Sequence, residues 1–124
     1  MHGPTYTGNA LACAAANASM DLFEHEDRLG QVTIIEEQLT SELADCSGLS
    51  CVTDVRVKGA IGVVQLDRMP DLNAMRRRFV AEGVWVRPFG DFVYLMPPLV
   101  IGAQDLTLLT KAVRTVLFEW GAER

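Results

Sequence analysis

The stretch CVTDVRVKGAIGVVQLD, residues Cys51 to Asp67, decides the fold. Val52, Val55, Val57, Ile61, Val63, Val64 and Leu66 form two runs, Cys51 to Lys58 and Ala60 to Asp67, separated by Gly59. β-Branched side chains suit a pleated surface better than a helix, so two strands are expected. The pattern leaves open whether they pair as a hairpin around Gly59 or form one long bent strand.

Helical periodicity flanks this stretch on both sides. Upstream, Gly8 to Glu26 is Ala-rich, with Leu11, Ala15, Ala18 and Leu22 on one stripe, and Ala has the best helix propensity. A face of small residues lets another element approach closely, so this helix is expected to pack against a larger body. Thr7, Gly8 and Asn9 are all acceptable N-caps for it. A second helix is expected from Asp27 to Asp45, on Leu29, Val32, Ile35, Leu39 and Leu43.

Downstream, Pro70 suits the first turn of a helix to Glu82 whose stripe is Leu72, Met75, Phe79 and Val80, stopping at Gly83. Val84 to Arg87 and Phe92 to Met96 read as short strands joined by Pro88-Phe89-Gly90-Asp91. A final helix, Ala103 to Trp120, carries Leu106, Leu109, Val113, Val116, Leu117 and Trp120 on one face. The order gives an α+β fold, helices packed on a small, mostly antiparallel sheet.

The 124 residues fit one domain, and 49% apolar against 22% charged residues is the balance of a folded chain. A net charge of -5 argues against nucleic acid or an anionic membrane as partner. The one basic run, Arg76-Arg77-Arg78, fans over about 200° of a helix. It reads as a solvated, salt-bridged face or as an anion site. Cys13, Cys46 and Cys51 lack CxxC spacing and nearby histidines, so no disulfide framework or metal site is indicated, and a reducing, cytoplasmic compartment fits. No apolar run approaches the roughly 18 to 20 residues of a membrane span.

Several residues could carry chemistry. The loop His2 to Asn9 gathers glycines, threonine hydroxyls and a helix N-terminus, the parts of a phosphate site, though an ordinary capped helix entry uses the same parts. Arg87 offers a bidentate fork for a carboxylate, or simply ends a strand and pairs with Asp91. Tyr94 could turn its ring to the core or its hydroxyl to a site. His2 and His25 stand alone, without a triad, and neither Lys58 nor Lys111 shows a reason for the lowered pKa of a Schiff-base former.

Taken together, HGPTYTGNALACAAANAS (His2 to Ser19), DVRVKGAIGVV (Asp54 to Val64), GVWVRPFG (Gly83 to Gly90) and YLMPP (Tyr94 to Pro98) resemble, in order and spacing, the C-terminal portion of the diaminopelargonate synthase family. These are class III aminotransferases of pyridoxal-phosphate fold type I, which use S-adenosylmethionine to aminate 8-amino-7-oxononanoate in biotin synthesis. The resemblance implies that residues 1–26 join a large domain lying upstream and that 27–124 form the small domain. It implies a homodimer in which Gly3, Pro4 and Thr5 bind the phosphate of pyridoxal phosphate held by the neighbouring subunit. It implies further that Arg87 binds the substrate's carboxylate with Tyr94 in support. The Schiff-base lysine, the aspartate at the pyridine nitrogen and the stacking aromatic would all lie upstream, so a fragment without activity of its own is expected. Two alternatives are an ornithine- or γ-aminobutyrate-type class III enzyme and a free-standing, non-catalytic module that binds a small acid or dimerises.

Overall fold

In the computed structural model residues 5–123 are described. The chain divides into two compact units, Met1–Gly30 and Gln31–Arg124. The first contains a 3₁₀ turn, Tyr6–Gly8, and helix α1, Ala10–His25. Asn9 caps α1 by accepting the Ala12 N–H at 2.9 Å through its side chain, which places the cap one residue beyond Gly8. No residue of α1 is buried, and Leu11 and Phe23 are openly exposed.

Helix α2, Arg28–Leu43, runs from the first unit into the second. There follow a 3₁₀ turn, Ala44–Gly48, strands β1, Val52–Lys58, and β2, Ile61–Leu66, helix α3, Leu72–Ala81, strand β3, Phe92–Leu95, and helix α4, Ala103–Ala122. The sheet order is β1-β2-β3, antiparallel throughout. Lys58 pairs with Ile61, so the two central strands form a hairpin with the two-residue loop Gly59-Ala60. Gly59 takes φ +54°, the left-handed value a tight hairpin asks of its first loop residue.

A bulge explains why the valines of β1 are spaced three and then two apart. The register shifts between Val52 and Asp54, so Thr53 is the extra residue and resets the alternation. Val52, Val55 and Val57 then all pack towards the core while Thr53, Asp54 and Arg56 are exposed. From β2 and β3, Val64, Leu66, Val93 and Leu95 join them, against Ile35, Leu39 and Leu43 of α2, Met75 and Phe79 of α3, and Leu106, Val113, Val116, Leu117 and Trp120 of α4. Gly62 lets α2 approach the sheet: a Cβ there would stand 2.9 Å from Leu43 Cδ1.

The structure corrects several expectations. Leu29, expected on the apolar stripe of the second helix, is 76% exposed in the first turn of α2, ahead of the core-facing Ile35, Leu39 and Leu43. Val84 to Arg87 is not a strand. The only pairing in that region is the single bridge between Phe89 and Phe92. Pro88 follows at once, and its ring holds φ near −65°, far from the roughly −140° of an antiparallel ladder. Val80, expected in the stripe of α3, is 55% exposed, because it lies about 100° round the helix from the buried Phe79. Pro70 precedes α3, whose N-cap is Asp71, its carboxylate accepting the Asn73 and Ala74 N–H groups at 2.9 Å.

One polar cluster ties α2 to α4. Gln38 donates to the Ala103 carbonyl at 2.8 Å and to Glu42 at 2.9 Å, and Glu42 accepts from Thr107 at 2.7 Å and from Thr110. Partial burial by itself would raise the Glu42 pKa, but these three hydrogen bonds and the charge of Arg114 outweigh it and hold the carboxyl below its usual 4.5. A depressed carboxyl pKa stabilises the fold above the unfolded value and loses that contribution as pH falls through the folded one. Unfolding by urea at a series of pH values is therefore expected to show stability falling below about pH 4.5, and Glu42→Gln is expected to flatten that dependence. An unchanged slope would place the acid sensitivity elsewhere.

Candidate functional site

The segment between α3 and β3 carries the candidate Arg87. Gly83, at φ +78°, ends α3, with its N–H donating to the Val80 carbonyl and the Val84 N–H to the Phe79 carbonyl, both at 3.0 Å. Beyond it Val86 and Pro88 are buried and Arg87 between them is exposed. In extended chain successive side chains point to opposite sides, so burying both neighbours turns Arg87 outward. Phe89 and Phe92 exchange two backbone hydrogen bonds of 2.9 Å, closing a turn through Gly90 and Asp91.

Asp91 does not pair with Arg87. Its Oδ1 accepts the Met69 N–H at 2.7 Å and its carbonyl accepts the Leu66 N–H at 2.8 Å. Among the described residues Arg87 has neither an ion pair nor a hydrogen bond, whereas Arg28, Arg56, Arg77, Arg78 and Arg114 each face a carboxylate. The run Arg76-Arg77-Arg78 is thus divided in its roles. Arg78 pairs with Glu123 and lies over the Trp120 ring at 5.2 Å, Arg77 stands 3.9 Å from Asp71, and Arg76 reaches the Pro88 carbonyl at a long 3.5 Å.

Tyr94 lies on β3 opposite Val63, with Val93 and Leu95 on its two sides buried, so its ring is outside the core and 37% exposed. Arg87 and Tyr94 line one open groove of about 320 Å³, with Trp85, Met96, Pro97 and Ile101 among its other walls. A volume of this order holds a small ligand, and one cation and one phenol on otherwise apolar walls suit a monocarboxylate with a hydrocarbon chain. A larger concavity of about 400 Å³ lies by Asp45, Cys46, Arg114 and Phe118. It is less suited to chemistry: Arg114 already stands 3.7 Å from Asp45, and burial pushes the Cys46 thiol up to about 11, leaving it protonated.

Thr5 belongs to the first unit and is exposed, and its hydroxyl has no partner among the described residues. The Tyr6, Thr7 and Gly8 that follow all have positive φ, 59°, 52° and 71°, which for Tyr and Thr costs roughly 1–2 kcal/mol each. Non-glycine strain of this kind concentrates where a loop is shaped for a ligand. Gly3 and Pro4 lie outside the described residues. The consecutive left-handed residues and the Asp91 anchor were not legible in the sequence, since neither follows from periodicity; an Asp after a Pro-Phe-Gly turn is at most a hint of a side-chain-to-backbone bond.

A family model described as Aminotransferase class-III matches residues 1–117. The chain belongs to the class-III aminotransferase family. Its sequence is 44% identical over 117 residues to the adenosylmethionine-8-amino-7-oxononanoate aminotransferase of Buchnera aphidicola subsp. Acyrthosiphon pisum, covering 94% of this chain and 27% of that protein. Among solved structures, the enzyme of the same description from Methanocaldococcus jannaschii superposes with a TM-score of 0.80 at 28% identity, covering 95% of this chain and 30% of that one. An amine transaminase from an uncultivated Pseudomonas species, solved in its PLP-bound form, superposes with a TM-score of 0.78 at 29% identity, over 96% of this chain and 30% of that one. The α+β arrangement is thus that of class-III aminotransferases, and this chain spans about a quarter of the length of the curated relative. No helix among the described residues is long and apolar enough to cross a membrane.

Proposed function

We propose that this chain is the C-terminal small domain of a pyridoxal-phosphate-dependent aminotransferase that moves an amino group from S-adenosylmethionine to 8-amino-7-oxononanoate, giving 7,8-diaminononanoate for biotin. Residues 1–26 then join a large domain and 27–124 form the small domain of a cytoplasmic homodimer, a compartment in keeping with three free cysteines. The observation that carries the reading is Arg87, an exposed guanidinium without a partner among the described residues, at the mouth of an apolar groove in a chain whose relatives bear this enzyme's name. A nonanoate chain ending in a carboxylate is the kind of molecule that such a groove accepts.

The donor set of the 3₁₀ turn fits a phosphate. Thr5 presents a free hydroxyl, and the Ala10 and Leu11 N–H groups of the first turn of α1 have no intrahelical acceptor. Thr5, with Gly3 and Pro4 before it, would hold the cofactor's phosphate across the dimer interface. Pyridoxal phosphate, when bound, supplies the aldehyde that takes up the amino group and the ring that accepts electron density. This chain's own part is binding. Arg87 neutralises the substrate's carboxylate and fixes the distance from that end of the molecule to the reacting end, Tyr94 lines the same groove, and its apolar walls exclude water from the chain between.

Neither of its lysines serves as the amine of the reaction. Lys58 closes β1 at the hairpin and Lys111 lies exposed on α4. The full-length protein, supplied with both substrates, is expected to form 7,8-diaminononanoate, and the 124-residue chain with added cofactor is expected to form none. Mass spectrometry of the product checks both; turnover of ornithine or γ-aminobutyrate in place of 8-amino-7-oxononanoate would sink the substrate assignment.

A further inference from the structure

We propose that Asp91 is the positioning residue for Arg87. The inference rests on reading Arg87 as the carboxylate ligand. Arg87 sits on a segment with no strand ladder, from Val84 to Pro88, so sheet pairing does not fix where its guanidinium stands. Tyr94, across the groove, is fixed by the β2–β3 ladder through its pairing with Val63. Something must join the unpaired segment to the paired one.

At its upstream end the segment is held by the two bonds that close α3. At its downstream end the tightest contacts are those of Asp91: the side chain takes the Met69 N–H at 2.7 Å, and the main chain takes the Leu66 N–H at 2.8 Å. Both partners lie at the end of β2 or just beyond it, before α3. Asp91 thereby fastens the Arg-Pro-Phe-Gly turn to the strand that also positions Tyr94. The Arg76 contact with the Pro88 carbonyl, at 3.5 Å, is too long to do the same.

The bond has a second effect. A carboxylate four residues from Arg87 would be an intramolecular competitor for the guanidinium, and hydrogen bonding to Met69 engages it elsewhere. Asp91 is thus an anchor whose acceptor oxygen matters and whose charge does not. That distinction makes the idea testable, because asparagine retains the oxygen, glutamate retains the charge but displaces the oxygen by one methylene, and alanine retains neither.

The readout is the ratio of kcat/KM for 8-amino-7-oxononanoate to that for its methyl ester, measured on the cofactor-loaded full-length protein. The ester lacks the carboxylate, so general damage to the fold lowers both numbers and cancels. Asp91→Ala and Asp91→Glu are each expected to lower the ratio about tenfold, mainly through KM for the acid, while Asp91→Asn stays within about twofold of the parent. An unchanged ratio in Asp91→Ala overturns the proposal. So does a raised ratio, which would make Asp91 a competitor, and so does an Asp91→Asn ratio as low as that of alanine, which would make its charge the cause. Arg87→Ala serves as the control: if it leaves the ratio intact, the carboxylate reading itself fails, whereas if it collapses the ratio and Asp91→Ala does not, only the positioning role is lost.

Discussion

Changing Arg87 to alanine in the full-length protein is expected to lower kcat/KM for 8-amino-7-oxononanoate by roughly a hundredfold and to leave that for its methyl ester within about twofold. The magnitude is that of losing hydrogen bonds to a charged group, about 1.5–3 kcal/mol, at about 1.4 kcal/mol per factor of ten. The loss should be large because, among the described residues, Arg87 is the only charged one lining the groove of about 320 Å³. Arg87→Lys keeps the charge but not the planar fork, and an intermediate loss of roughly tenfold is expected. Melting temperatures should be unaltered, since Arg87 makes no hydrogen bond or ion pair among the described residues. Equal losses on acid and ester would mean that the substitution disturbs the groove and not a carboxylate contact.

Phe79→Ala is expected to cost about 3–5 kcal/mol of stability, and Val80→Ala, one residue on, less than about 0.5 kcal/mol. Phe79 is fully buried, packed in the core that α3 shares with α4 and the sheet, while Val80 is 55% exposed. Against a total of about 5–15 kcal/mol for a domain of this size, the first change removes a large share and the second almost nothing. Urea unfolding followed by circular dichroism measures both. Similar midpoints for the two variants would mean that α3 is rotated from the orientation described.

The core-facing side of each helix in the second unit was largely legible in the sequence. Leu106, Val113, Val116, Leu117 and Trp120 are all buried at the three- and four-residue spacing that predicted them. The misreading of Val80 came from its neighbour: two adjacent apolar residues both satisfy a loose pattern, and only packing against α4 chooses between them. Val84 to Arg87 misled for a related reason. Val84, Trp85 and Val86 have strand propensity, but a strand also needs a partner edge, and propensity holds no information about one. In α1 the apolar stripe that includes Leu11 carries no buried residue among the described residues, so periodicity alone drew that face.

The candidate site divides along the same line. Arg87 and Tyr94 were picked out by residue type and by the ordered motifs around them, and Thr5 by the Gly-Pro-Thr motif of the family that the chain resembles. The sequence by itself determined the α+β class, most of the helix faces and the break between two strands at Gly59, and it singled out Arg87 as the candidate cation, while the pairing of those strands as a hairpin came only from the structure. Only the tertiary structure decided that Asp91 bonds to Met69 and leaves Arg87 unpaired, that Arg87 and Tyr94 share a groove, and that a bulge at Thr53 brings three unevenly spaced valines to one face. The physical reason is range. Periodicity and propensity act over a few residues, whereas Asp91 and Met69 meet across 22 positions of chain, and such a contact exists only once the core has closed.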